Sequence, residues 1–136
     1  MQALKVVLGT DDGKRLSRGH LGDSRIFRIY ILSKDGEATL EREIENTYPE
    51  EKSHGGEEKM KAILSLLGQV DLMVARKLSP NFKKIAATKP IQPVRVVVDT
   101  VEEALEVLRR NYLMLESLVE RRRNGERFEE IPRLLP

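Results

Sequence analysis

Leu4, Val6, Val7 and Leu8 make a dense apolar run closed by Gly9, the pattern of a strand buried on both faces. A polar stretch over residues 10–24 follows, punctuated by Asp12-Gly13, Gly19 and Gly22. Connections of that length between strands are uncommon and often functional. Residues 25–32 are rich in β-branched and aromatic side chains and predict a second strand. Asp35-Gly36 then signals a hairpin turn. Beyond it Ala38, Leu40 and Ile44 alternate with Thr39, Glu41, Glu43 and Glu45, which predicts an edge strand with one acidic face in water.

Residues 46–56 read as a loop, with Tyr48-Pro49 and Gly55-Gly56 as breakers. Met60, Ile63, Leu64 and Leu67 recur at helical spacing and Gly68 ends the run, so a helix is expected over 57–67. A second buried strand is expected at 70–75. Ser79 and Pro80 supply the cap and first turn of a short helix reaching about residue 87. A third buried strand falls at 94–98. Thr100 and Glu103 have the spacing of a capping box, and the stripe Val101, Ala104, Leu105, Leu108, Tyr112, Leu115 and Val119 predicts one continuous helix to residue 123. Such a helix would be about 34 Å long, against roughly 20 Å for a six-residue strand. It would outrun the sheet it covers. Val107, Met114 and Leu118 form a second stripe, and Tyr112, Leu115, Leu118 and Val119 are expected to pack against a second copy of the chain, a homodimer through residues 112–119, or against the returning segment 128–135.

Three strands in antiparallel sequence followed by alternating helices and strands imply a mixed α/β fold. The simplest arrangement is a five-stranded sheet in the order 3-2-1-4-5, with right-handed crossovers and helices on both faces, the ribonuclease-H-like layout. Residues 1–111 are expected to form one α/β domain, with 112–136 as a C-terminal helix extension and tail. The order of strands reverses between the first and fourth, where such sheets bind ligands beyond the strand carboxyl ends. The loops after Gly9 and after Ala75 both lead there.

Composition narrows the chemistry. The 136 residues contain no cysteine and no tryptophan, with 24 Lys and Arg against 22 Asp and Glu. A disulfide framework, a thiolate nucleophile and cysteine-held zinc or iron–sulfur centres are thereby excluded. A net charge of +2 suggests no nucleic-acid partner. Without a signal peptide or membrane-spanning run at Met1 or beyond, a cytoplasmic protein is expected. High charge with few amides hints at a thermophile source. No nucleophile, base and orienting group stand together in any known pattern, so a binding protein is expected rather than an enzyme.

A family resemblance rests on an ordered set of short motifs. Gly19-His20-Leu21-Gly22-Asp23-Ser24, followed by Phe27, Ile29 and Tyr30, resembles the His-Phe-Gly-x-Ala/Ser signature of the dinitrogenase iron–molybdenum cofactor biosynthesis family. His54-Gly55 is similar to that family's His-Gly pair, and residues 68–75 to its Gly-x-Val-Asp-Val-Val-Ile-Ala strand. Pro80-Asn81 resembles its Gly-Pro-Asn turn, and residues 100–105 its closing helix start. Leu21 stands where the family usually has phenylalanine, and Arg76-Lys77-Leu78-Ser79 where it has a glycine-rich turn.

The resemblance implies a cytoplasmic carrier or chaperone for a metallocluster or its iron–sulfur precursor, exchanged with donor and recipient proteins in iron–molybdenum cofactor assembly. His20 and His54 would be metal ligands, Gly22 and Gly55 would let the backbone approach the cargo, and Arg76 and Lys77 would balance its charge. A bland reading stands beside each: His20 orders a turn, Ser53 caps a helix near His54, and Arg76 and Lys77 are solvated. Asp11 and Asp12 could bind a hard cation, but Asp12-Gly13 reads more simply as a turn. Two other classes stay open: a structural module acting through its last helix, and a small-anion-binding protein.

Overall fold

Architecture follows from the alternation of the first strand. β1 (Ala3–Thr10) runs through the middle of the sheet in the computed structural model, which describes residues 2–47 and 57–136. Leu4, Val6 and Leu8 enter one apolar core and Val7 enters another. Successive side chains of a strand leave opposite faces, so both faces must be covered. β2 (Ile26–Ser33) pairs antiparallel with β1, and β3 (Ala38–Glu45) antiparallel with β2. β4 (Leu72–Ala75) and β5 (Gln92–Val96) add in parallel on the other side of β1. The 3-2-1-4-5 order expected from the sequence is the order found, and β3 is the exposed edge strand foreseen.

Helices α1 (Glu57–Leu67) and α2 (Pro80–Thr88) cover one face, where Ile63, Leu67, Phe82 and Ile85 join Val7, Phe27, Ile29 and Met73. Ser79 caps α2 by accepting from the Phe82 amide at 3.3 Å. The other face carries α3 (Val101–Arg110) and α4 (Tyr112–Arg123). The capping box of Thr100 and Glu103 is formed in both directions. Residues 48–56, which include the expected loop around His54, lie outside the described residues. Among the described residues no helix is long and apolar enough to cross a membrane.

Two sequence expectations are corrected. The last helix is not continuous: Asn111 has φ −108° and ψ 17°, and its side-chain amide donates to the Val107 carbonyl at 2.8 Å. That bond competes with regular helix at the point where a straight rod would leave the sheet. α4 therefore resumes on the core, which buries Tyr112, Leu115 and Val119 within the chain itself. A sixth strand, β6 (Arg133–Leu134), extends the sheet beside β5, and Leu134 enters the same core. The run Arg121-Arg122-Arg123 closes α4 and splits by burial, with Arg121 and Arg123 in partly exposed ion pairs and Arg122 in the interior. Arg121 pairs with Glu126 at 3.2 Å and Arg123 with Asp71 at 2.6 Å.

Arg122 is 1% exposed. Its guanidinium donates to Gln92 Oε1 at 2.8 Å and to the carbonyls of Ala86 at 2.6 Å, Lys89 at 3.2 Å and Phe128 at 3.0 Å. The Phe128 ring stacks beneath it, 4.1 Å from centroid to guanidinium carbon. Burial and the neighbouring Arg127 and Arg121 push its pKa down to about 10. Only a fork of donors can serve α2, β5 and the returning tail at once. Replacing Arg122 by alanine strands four acceptors; unfolding in urea should show a loss of about 3 kcal/mol or more. Arg121→Ala, which breaks an exposed pair, should change stability by less than about 1 kcal/mol.

Candidate functional site

The connection between β1 and β2 is held at both ends by its own acids. Asp12 Oδ1 accepts from the amides of Lys14 and Arg15, each at 2.8 Å, and these bonds hold its carboxyl below the usual carboxylate range. Asp11 accepts from the Arg25 amide at 2.9 Å. The Asp12-Gly13 turn read from the sequence is present, and both carboxylates are engaged in the loop's own backbone. Leu16 sits in the α3/α4 core and Leu21 in the α1/α2 core, so the loop crosses over the end of the sheet. Between these anchors the Ser17 amide donates to the Gly9 carbonyl at 3.0 Å.

Gly9 and Ser24 are pressed together where the loop returns. A Cβ on Gly9 would lie 1.9 Å from Ser24 Oγ and 2.7 Å from Ser24 Cβ. The glycine that ends the first apolar run is thus a packing requirement of the loop that carries His20. Asn46 ties the same return to β3, donating to the carbonyls of Gly22 at 2.9 Å and Ser24 at 2.8 Å.

On the α1/α2 side the loop, in a single 3₁₀ turn (Leu21–Asp23), closes one wall of a cavity of about 200 Å³. Its floor and far walls are apolar, from Met60, Ile63, Met73, Phe82 and Ile85. His20 stands at the cavity and is 38% exposed. His20 Nδ1 lies 3.8 Å from Asp23 Oδ2, and Asp23 also takes the ammonium of Lys59, another lining residue. Gly22 lies against α1 closely enough that a Cβ would be 3.0 Å from Ile63 Cδ1. Among the described residues no three His, Cys, Asp or Glu side chains gather as a metal centre. The donors offered here are one imidazole, the thioethers of Met60 and Met73, and the neutral side chains of Ser79 and Asn81, a sparse set without a carboxylate or thiolate among the lining residues. Such a set suits a guest that brings most of its own ligands.

On the α3 side the same loop borders a second, wider cleft of about 700 Å³. Arg15 and Arg18 from the loop face Arg76 and Lys77 from the segment after β4, with Asp99, Thr100 and Glu103 completing the lining. The two arms expected at the reversal of strand order both arrive. They do not meet in one crevice: His20 and Gly22 line the apolar cavity, Arg76 and Lys77 the basic cleft. His54 and Gly55 lie outside the described residues. Sequence reasoning passed over Lys59, Met60 and Met73 beside His20, and Arg15 and Arg18 beside Arg76. Lys59 and Met60 looked like ordinary positions of an amphipathic helix, and Arg15 and Arg18 like loop charges.

With this geometry established, the family model described as dinitrogenase iron-molybdenum cofactor matches residues 2–111. The match ends at Asn111, the residue between α3 and α4, and leaves α4 and β6 beyond it. No curated protein matches the chain.

The contact of Gly9 with Ser24 is directly testable. Gly9→Ala should destabilise the protein by about 1–3 kcal/mol through overpacking. Ser24→Gly in the same chain should recover most of that loss, since it removes the two atoms nearest the new methyl and leaves only Leu21 Cδ1 at 3.0 Å. A double-mutant cycle by thermal or urea unfolding measures the coupling; additive losses would show that the two positions do not press on each other.

Proposed function

The chain belongs to the dinitrogenase iron-molybdenum cofactor family, which associates it with biosynthesis of that cofactor, and from this membership we propose that it is a non-enzymatic carrier for a metallocluster or an iron–sulfur precursor. The single observation that supports this reading most is His20 at the mouth of a mainly apolar cavity. A neutral imidazole is a good metal donor, and Nε2 of His20 has no protein partner among the described residues.

One strong donor with soft neighbours favours exchange over storage. A bare ion would have to keep most of its coordination sphere as water inside an apolar cavity, which is unfavourable. A cluster carries its own bridging ligands and needs only an anchor. Lys59, held beside His20 by Asp23, supplies a positive charge toward an anionic guest. Gly22 keeps the backbone low at the cavity wall. His54 and Gly55, from the family's His-Gly pair, would furnish a second labile ligand. The partners implied are the proteins that donate and accept the cluster. A homodimer, if formed through the last helix, would use exposed Leu113 and Met114, because Tyr112, Leu115 and Val119 are committed to the core.

Anaerobic reconstitution of the full chain with iron, sulfide and molybdate, followed by desalting and metal analysis, tests the reading. His20→Ala should retain metal at least about tenfold less tightly than the unaltered chain, in the range lost when a ligand or its orienting group is removed. Lys59→Ala should give an intermediate loss. Equal retention by the unaltered chain and His20→Ala would overturn the assignment of His20.

A further inference from the structure

The basic cleft on the α3 side is a separate feature that the carrier reading does not use. Four cations converge on it from two loops: Arg15 and Arg18 before β2, Arg76 and Lys77 after β4. The whole chain has a net charge of only +2, so this cleft concentrates positive charge that is balanced elsewhere. Its two acids are already engaged. Asp99 pairs with Arg76 at 3.0 Å, and Glu103 accepts from the amide and hydroxyl of Thr100 at 3.1 Å and 2.9 Å. Asp12, outside the lining, is the carboxylate that attracts Arg15. Arg18 and Lys77 have no ion-pair or hydrogen-bond partner among the described residues for their side chains.

Like charges do not gather in a concavity without opposition, and the backbone supplies the force that holds them there. Arg15 pairs with Thr100 in an isolated bridge, the Leu16 amide donates to the Asp99 carbonyl at 2.9 Å, and the Val101 amide donates to the Lys14 carbonyl at 2.9 Å. Leu16, buried in the core below, fixes the loop between the two arginines. The cleft lies where the strand order reverses, at the carboxyl ends of β1 and β4, the usual ligand position of such sheets. Concave walls focus the field, and guanidinium forks match the geometry of carboxylate and phosphate. About 700 Å³ is the size of a small-molecule site.

We propose that this cleft binds a small multivalent oxyanion, bearing two or more phosphate or carboxylate charges, at a site independent of the His20 cavity. Arg18 and Lys77 carry the recognition, and Arg76, oriented by Asp99, completes it. The site stands whether or not the chain carries a cluster.

Isothermal titration calorimetry of the full chain with pyrophosphate, and separately with citrate, provides the test. Saturable binding of at least one anion is expected in low salt, weakening as salt is raised. The double variant Arg18→Ala/Lys77→Ala removes two side chains that hold nothing in the fold, and should weaken binding about tenfold or more. His20→Ala should leave it unchanged. A preference for pyrophosphate assigns the site to phosphoryl ligands, and a preference for citrate to polycarboxylates. No saturable binding of either anion, or undiminished binding by the double variant, overturns the proposal. So does an equal loss in His20→Ala, which would make the two cavities one site. Equal metal retention by the unaltered chain and His20→Ala, which would overturn the assignment of His20, leaves this result untouched, so the two readings fail separately.

Discussion

A loop that must cross the end of a two-faced sheet can be held in place only if both faces grip it. Here Leu16 is gripped by the α3/α4 core and Leu21 by the α1/α2 core, five residues apart. Burying two leucines contributes roughly 2–3 kcal/mol each, enough to order a segment that otherwise has only turns. Between them the chain passes over Gly9, and on its return Ser24 occupies the space that a side chain at Gly9 would fill. Both candidate cavities inherit their position from this arrangement. The residues before the crossing, Arg15 and Arg18, face one cavity, and His20 and Gly22 after it face another.

The opposite end of the molecule is governed by a buried cation that pairs with no carboxylate among the described residues. Arg122 is satisfied by three carbonyls and one side-chain amide oxygen, two of the carbonyls coming from the end of α2. Carbonyls at a helix carboxyl end carry partial negative charge, so an arginine there is favoured even without a formal counter-ion. This links α2, whose amino end borders the His20 cavity, to α4 and the tail that adds β6. The segment beyond the family match is therefore part of the same folded body, sharing its core through Tyr112, Leu115, Val119 and Leu134.

Local signals were legible and long-range ones were not. Density of apolar residues marked β1, alternation marked β3, and the Ser79-Pro80 and Thr100–Glu103 spacings marked two helix starts. The break at Asn111 was hidden because the stripe of Val101, Leu105, Leu108, Tyr112, Leu115 and Val119 keeps its phase across it. Periodicity reports which side faces the core, not whether the axis bends. β6 is two residues long and pairs with a strand far away in sequence, so it leaves no pattern of its own. Arg122 looked like its two neighbours, since charge type does not reveal burial. For the candidate site, the sequence pointed to the end of the sheet where both arms arrive, yet it merged two cavities. Which side of the sheet a loop residue faces depends on where the chain crosses, and only packing decides that.

Separating the two cavities has a chemical consequence. An apolar-walled cavity with a single imidazole lowers the local dielectric around its guest, which strengthens one metal–nitrogen bond but leaves little to replace lost hydration. A guest already shielded by its own ligands would lose least on entry, so under the carrier proposal the cavity would select by how completely a metal is already coordinated. A basic, open cleft would select by charge and tolerate water. Had Arg76 and Lys77 pointed into the same cavity as His20, their hydration would have opposed the apolar walls. Their protonated side chains would also have lowered the affinity of the imidazole for a cation. By placing four cations on the far side of the crossing, the loop leaves Lys59, restrained by Asp23, as the cation beside His20.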